Sequence, residues 1–67
     1  MRTKLKDLRA ACGFTQYTFA DALEISRSHY SQIEAGSKTP SLPLARKIKS
    51  VLGYSDDDIF DQDEKSK

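Results

Sequence analysis

The chain has 67 residues, a net charge of +1 at pH 7 and a single cysteine, Cys12. This length allows one domain, and a lone cysteine excludes an intramolecular disulfide and a cysteine-based zinc site. Because the sequence has no run of about 18 apolar residues and no apolar segment near Met1, we expect neither membrane spanning nor secretion, and we predict a cytoplasmic protein.

Positive and negative residues are divided unevenly along the chain. Residues 1–50 contain nine Lys and Arg against four Asp and Glu, whereas residues 51–67 contain two Lys against six Asp and Glu. A basic body can approach nucleic-acid phosphates while an acidic end points away. The same division also fits an ordinary solvated surface with an acidic tail, so charge alone leaves both interpretations open. We expect one domain over residues 1–60 and a frayed acidic tail over residues 61–67.

Apolar spacing, caps and stop signals predict a compact all-α fold of five helices, with no strand pattern. The first three helices are predicted at about 3–12, 16–23 and 27–35. The fourth lies between Ser41 and Gly53, and a last short helix includes Ile59 and Phe60. The predicted N-caps are Thr3, Thr15, Ser26, Ser41 and Ser55, and the predicted stops are Gly13, Gly36 and Gly53.

The third predicted helix has an apolar inner face and a polar outer face. Tyr30 and Ile33 form the inner face, and the outer face carries Arg27, Ser28, Ser31 and Gln32. A helix fits the DNA major groove, where Arg can bind guanine, Gln can bind adenine, and Ser can donate or accept. We therefore predict that these four residues read bases. The alternative is an ordinary solvated helix face, although an outer face with no acid before Glu34 is less ordinary, and a helix that only binds other proteins usually carries more Glu and Lys.

Five further residues are candidates for contacts with DNA phosphates. Gln16 begins the second helix, where main-chain N–H groups favour an anion, although it can equally serve the capping region. Tyr17 either adds a phosphate hydrogen bond or covers apolar surface, and His29 reaches a phosphate or a thymine methyl group. Lys38 and Thr39, in the loop after the third helix, can clamp the flanking DNA backbone. Such contacts position a protein without reading sequence.

Other chemistry has little support in the sequence. Arg9 and Glu34 are both predicted to face inward, where we interpret them as a structural ion pair. His29 has no cysteine or acid at a metal-ligand spacing, and no phosphate loop or nucleophile elbow is present. The acidic run 56–58 lacks the glycine and glutamate of a calcium loop. We therefore expect no enzyme activity, metal, cofactor or small-molecule substrate.

The sequence resembles the Cro/cI-type helix-turn-helix family of phage repressors and bacterial regulators. The resemblance covers about residues 5–60 without gaps, and its landmarks are Leu5-x-x-Leu8-Arg9, Phe14-Thr15-Gln16, Phe19-Ala20, Leu23-x-Ile25-Ser26-Arg27, Ile33-Glu34-x-Gly36, Pro40-Ser41, Leu52-Gly53 and Ile59-Phe60. It implies a five-helix lambda-repressor-like domain that binds double-stranded DNA as a homodimer at a near-palindromic operator. It also implies base reading by the outer face of the third helix, a phosphate contact by Gln16 and an internal Arg9–Glu34 pair.

Three positions depart from the family pattern. Glu24 stands where the turn usually has glycine, so a positive φ at some cost is expected there. Lys49 replaces a frequent alanine and brings charge near the packing face of the fourth helix. Phe19 replaces a typical leucine, so its neighbours must be smaller or shifted.

The resulting prediction is a sequence-specific transcriptional regulator, in its simplest form a repressor that occludes a promoter. The alternative is a protein-interaction module, such as an antitoxin or anti-repressor, that keeps the fold but has weak DNA specificity and a protein partner. The candidate dimer surface lies beyond the third helix and consists of Val51, Tyr54, Ile59 and Phe60. These side chains can instead simply complete the core of the monomer.

Overall fold

The computed structural model describes residues 1–61 as four α-helices followed by a short 3-10 turn. The helices are α1 (Thr3–Ala11), α2 (Gln16–Leu23), α3 (Arg27–Ala35) and α4 (Leu42–Leu52), and the 3-10 turn covers Asp57–Phe60. No strand occurs within these residues. The all-α prediction is confirmed, but the fifth element is a 3-10 turn of four residues. One turn is too short to recover the cost of nucleating an α-helix.

The predicted caps of the three middle helices are confirmed. Thr15 Oγ1 accepts from Thr18 N at 3.0 Å, and Thr18 Oγ1 accepts from Thr15 N at 2.9 Å, which makes a reciprocal capping box. Ser26 Oγ accepts from His29 N at 3.0 Å. Ser41 caps α4 in the same way, over a longer 3.4 Å to Leu44 N. These bonds satisfy N–H groups that a helix start leaves without partners.

Two predicted caps are wrong. Thr3 is the first helical residue of α1, and Arg2 occupies the cap position without a side-chain cap bond. The chain begins the helix one residue early because Arg2 N donates to Glu34 O at 2.8 Å, while Arg2 O accepts from Lys6 N at 3.1 Å. At the other end, Asp56 rather than Ser55 precedes the 3-10 turn.

Glu24 forms the turn between α2 and α3 in a left-handed conformation, with φ 63° and ψ 38°. The expected positive φ is therefore confirmed. The turn is closed by Glu24 N donating to Asp21 O and Ile25 N donating to Ala20 O, both at 3.0 Å. This geometry sets the direction in which α3 leaves α2.

Glu24→Gly should raise the free energy of unfolding by roughly 0.5–1 kcal/mol, because glycine adopts positive φ without a Cβ clash. The lost ion pair between Glu24 and Lys47, 3.4 Å between charged atoms, is exposed and contributes little. Urea denaturation measures the change. Glu24→Ala is the matched control, because it removes the ion pair but keeps the strain. Equal stability of the glycine and alanine variants would contradict this account.

The core is built from one face of each helix. Its fully buried side chains are Leu5, Phe19, Tyr30, Ile33, Ile48 and Ile59. Phe19 packs edge-on against Tyr30, with 5.1 Å between ring centroids, and lies 5.0 Å from the Phe14 ring. Edge-to-face aromatic pairs are favourable beyond their buried area. The aromatic cluster fixes the inner face of α3, so the opposite face of that helix is directed to solvent.

Candidate nucleic-acid interface

The outer face of α3 presents polar side chains at the helix N-terminus. Arg27 and Ser28 are exposed in the first turn, and Ser31 and Gln32 follow one turn later, partly exposed. The three inward residues Tyr30, Ile33 and Glu34 are buried. Both predicted faces of the helix are thus present. Because the inward face is packed, the helix has one accessible side on which it can meet a ligand.

Glu34 lies on the buried face of α3, and its carboxylate connects α3 with α1 and α2. Glu34 is only 1% exposed. Arg9 of α1 donates from Nε to Glu34 Oε2 at 2.8 Å, and Tyr30 Oη donates to the same oxygen at 2.6 Å. Gln16 of α2 donates from Nε2 to Glu34 Oε1 at 2.8 Å. Arg9 also donates from Nη1 to Phe14 O at 2.6 Å, which ties the α1–α2 connection to the cluster.

The hydrogen bonds determine the charge state of this cluster. Burial raises the pKa of Glu34, but the bonds from Arg9, Tyr30 and Gln16 together lower that pKa below its ordinary value. Burial and then the bond to Glu34 raise the pKa of Tyr30, so its hydroxyl remains a donor. The bond to Glu34 raises the pKa of Arg9. The cluster is therefore an ionised carboxylate surrounded by donors at neutral pH.

Gln16 has a role that the sequence pattern did not indicate. It lies at the N-terminus of α2, partly exposed, and one of its amide N–H groups is taken by Glu34. A glutamine amide has two N–H donors and an acceptor oxygen. The bond to Glu34 therefore orients the amide and leaves further polar capacity at the helix start. Nothing in the sequence joins Gln16 to Glu34, since 18 positions separate them.

The other candidate phosphate contacts lie in the first turn of α2, in the first turn of α3 and in the loop after α3. Tyr17 is 68% exposed in the first turn of α2, and His29 is partly exposed in α3. Lys38 and Thr39 are exposed in the loop after α3. That loop is held to the helix because Ser37 N and Lys38 N donate to Gln32 O, at 2.9 and 3.2 Å.

The structure changes the candidate dimer surface. Ile59 is 0% exposed within the core of the single chain, so it is not available to a partner and leaves the proposed surface. Val51, Tyr54 and Phe60 are partly exposed. Tyr54 Oη donates to Asp58 Oδ1 at 2.9 Å, and the Lys4 ammonium lies 5.7 Å from the centre of the Tyr54 ring.

Lys49 does not place its charge in the packing face of α4. Its Nζ donates to Asp57 Oδ1 at 2.6 Å, and the Asp57 side chain is largely exposed. Lys4 and Asp58 form a similar pair at 2.7 Å. The two lysines connect α4 and α1 to the 3-10 turn. Each pair is solvent-screened, so we assign it a role in orientation rather than in stability.

Arg2 is the residue that sequence reasoning missed most completely. It is 4% exposed, although an arginine next to the chain start is ordinarily solvated. Its guanidinium donates to main-chain oxygens of Phe60, Ile33 and Lys38. No local signal indicates this, because the partners are 31 to 58 positions away.

Residues 1–61 contain no group of three or more His, Cys, Asp or Glu side chains arranged to hold a metal ion. None of the helices in these residues has the length and apolarity needed to cross a membrane.

Comparison with known proteins gives consistent matches. A family model described as Helix-turn-helix matches residues 5–59. The uncharacterized HTH-type transcriptional regulator YqaF of Bacillus subtilis is 43% identical over 63 residues, which cover 94% of this chain and 82% of that protein. The uncharacterized HTH-type transcriptional regulator MJ0272 of Methanocaldococcus jannaschii is also 43% identical, over 90% of this chain and 91% of that protein. Control protein C.MunI of a Mycoplasma species is 36% identical over 92% of this chain and 85% of that protein. No solved structure matches the chain at a significant level.

Proposed function

The chain belongs to the Cro/cI-type helix-turn-helix family, and from this we propose that it is a sequence-specific DNA-binding regulator of transcription. It acts as a homodimer on a near-palindromic operator, with α3 in the major groove, and represses by occluding a promoter. The observation that carries the proposal is the division of α3 into a packed inner face and a polar, accessible outer face.

Base reading is assigned to Arg27, Ser28, Ser31 and Gln32. The first residues of a recognition helix meet base edges first, and these four occupy its N-terminal turns. Arg27 can bind guanine O6 and N7 with two hydrogen bonds, and Gln32 can bind adenine N6 and N7 in the same way. The outer face carries no carboxylate that would repel DNA, since the one acid of α3, Glu34, is buried.

Phosphate contacts are assigned to Gln16, Tyr17, His29, Lys38 and Thr39. Gln16 and Tyr17 lie at the N-terminus of α2, where main-chain N–H groups and the helix dipole favour an anion. The bond to Glu34 pre-orients the Gln16 amide, so less rotamer entropy is lost on binding. Lys38 and Thr39 flank α3 on its other side. Together these contacts set the register of α3 in the groove.

Gln32→Ala and Lys38→Ala test this assignment as a pair, because neither residue is buried: Gln32 is partly exposed and Lys38 is exposed. Gln32→Ala should weaken binding to the preferred site by roughly 1–3 kcal/mol and relax preference at one base pair. Lys38→Ala should weaken binding to all sequences about equally and flatten the salt dependence by about one unit of slope. Binding isotherms on matched and single-substituted duplexes at several salt concentrations measure both effects. An equal loss for every sequence in Gln32→Ala would remove Gln32 from the base readers.

A further inference from the structure

Arg2 joins three parts of the molecule that are distant in sequence. Its Nη1 donates to Ile33 O at 2.5 Å and to Lys38 O at 2.9 Å, and its Nε donates to Phe60 O at 2.7 Å. Its main-chain N–H donates to Glu34 O at 2.8 Å. One residue thus contacts the C-terminal end of α3, the loop after it and the closing 3-10 turn.

The chemistry of these contacts suits arginine in particular. The last carbonyl groups of a helix lack intrahelical partners, and a cation near them is stabilised by the helix dipole. Ile33 O and Glu34 O belong to this end of α3, and Ile33 O accepts from Gly36 N at 3.1 Å as well as from Arg2. A guanidinium offers several donors in a fixed plane, so it can serve separate carbonyl groups at once. A lysine ammonium is a compact charge at the end of a flexible stem and does not reproduce that geometry.

We propose that Arg2 is a positioning residue for DNA binding. It holds the main chain at Lys38 against the end of the recognition helix, so that the Lys38 side chain is aligned with a phosphate while α3 lies in the groove. The inference rests on the proposed function and extends it to a buried residue that does not itself touch DNA. Its bond to Phe60 O also fixes this loop relative to the 3-10 turn.

The test is a double-mutant cycle between Arg2→Lys and Lys38→Ala, read as salt dependence. One phosphate contact corresponds to about a 3.5-fold change in affinity between about 50 and 200 mM salt. Removing Lys38 should therefore lower the salt sensitivity of the parent protein by about that factor. In the Arg2→Lys background, removing Lys38 should change the salt sensitivity by less than about 1.5-fold, since the Lys38 side chain no longer reaches its phosphate there. Arg2→Lys keeps the net charge, so general electrostatic attraction is unchanged.

The controls separate positioning from loss of stability. Ile48→Val weakens the core away from the loop, and it should keep the full Lys38 effect at a temperature where the protein is folded. Arg2→Gln, whose planar amide retains two donors, replaces Arg2→Lys if the latter does not fold. Amide hydrogen exchange gives a second measurement. The main-chain amides of Ser37 and Lys38 should exchange faster in the Arg2 variant than in the Ile48 variant when the two variants have the same melting temperature.

The outcomes distinguish this inference from the proposed function. A Lys38 effect that is the same size in both backgrounds, with unchanged exchange at Ser37 and Lys38, overturns the role of Arg2 and leaves DNA reading intact. A folded parent protein that binds no duplex preferentially overturns the proposed function itself. A Lys38 effect that disappears only in the Arg2 background supports the positioning role.

Discussion

Glu34→Ala should lower the free energy of unfolding by about 3–5 kcal/mol, which is enough to unfold much of a domain of this size. The buried carboxylate accepts hydrogen bonds from Arg9, Tyr30 and Gln16. Alanine removes all of these acceptors, so the guanidinium of Arg9 and the hydroxyl of Tyr30 stay buried without them. A charge left unpaired in the interior costs far more than the intact pair contributes.

Thermal and urea denaturation followed by circular dichroism measure this effect. Asp21→Ala is the matched control, because Asp21 is an exposed carboxylate of α2. It should change the free energy of unfolding by no more than about 0.5 kcal/mol. A Glu34→Ala melting curve that coincides with that of the parent would show that the cluster does not hold the helices together.

The same cluster predicts how stability depends on pH. Because the pKa of Glu34 is lowered on folding, its contribution is fully present above the ordinary value of 4.5 and is lost as the pH falls through the folded value. Glu34→Gln cannot ionise, so its stability should fall less steeply below pH 4.5 than that of the parent. Urea titrations at a series of acidic pH values measure both slopes. Parallel acid limbs in the two proteins would contradict an ionised, hydrogen-bonded Glu34.

Phe60→Asp should convert the proposed homodimer to a monomer and reduce affinity for a full operator by roughly 10²–10⁴-fold. Two linked reading helices gain that much from effective concentration, and a monomer loses it without losing any contact to a half-site. Phe60 is a partly exposed aromatic residue that packs against the core, as do the other two candidate surface residues, Tyr54 and Val51. A buried carboxylate in an apolar contact has no partner there.

Sedimentation and binding to full-site and half-site duplexes test this prediction together. Half-site affinity should be unchanged in Phe60→Asp, which shows that the monomer is folded. Ala10→Asp adds the same charge at an exposed position of α1, so it isolates general repulsion of DNA. Val51→Asp should repeat the loss of dimer by a different side chain. A folded Phe60→Asp protein that still sediments as a dimer would move the interface elsewhere.

The parts of the fold that could be predicted from sequence are those encoded locally. Thr15, Ser26 and Ser41 cap helices through residues three positions away, and Gly36 and Gly53 end helices at positive φ. These signals require no knowledge of the rest of the chain. Where a long-range contact competes with these local signals, the prediction from sequence was wrong. With the main-chain bond between Arg2 and Glu34, α1 begins one residue earlier than expected, so that Arg2 and not Thr3 is its N-cap.

The candidate site likewise has features that could be predicted from local sequence and features that could not. Helical periodicity placed Tyr30 and Ile33 inside and the polar residues of α3 outside. It did not show that Gln16 and the hydroxyl of Tyr30 both bind Glu34, or that Arg2 is buried, because those contacts depend on how the helices pack. Ile59 was misassigned because an apolar residue near the end of a domain fits a core and an interface equally well. Its burial in the single chain resolves that choice.

The most direct test of DNA reading by α3 is selection of preferred sites from a random duplex pool at about physiological salt. We expect one near-palindromic site with half-sites about one helical turn, ~34 Å, apart. The protein should prefer that site by roughly 10³-fold or more over unrelated DNA. Failure to recover any consensus with a folded protein would contradict the account and favour a protein-binding module that keeps the helix-turn-helix fold.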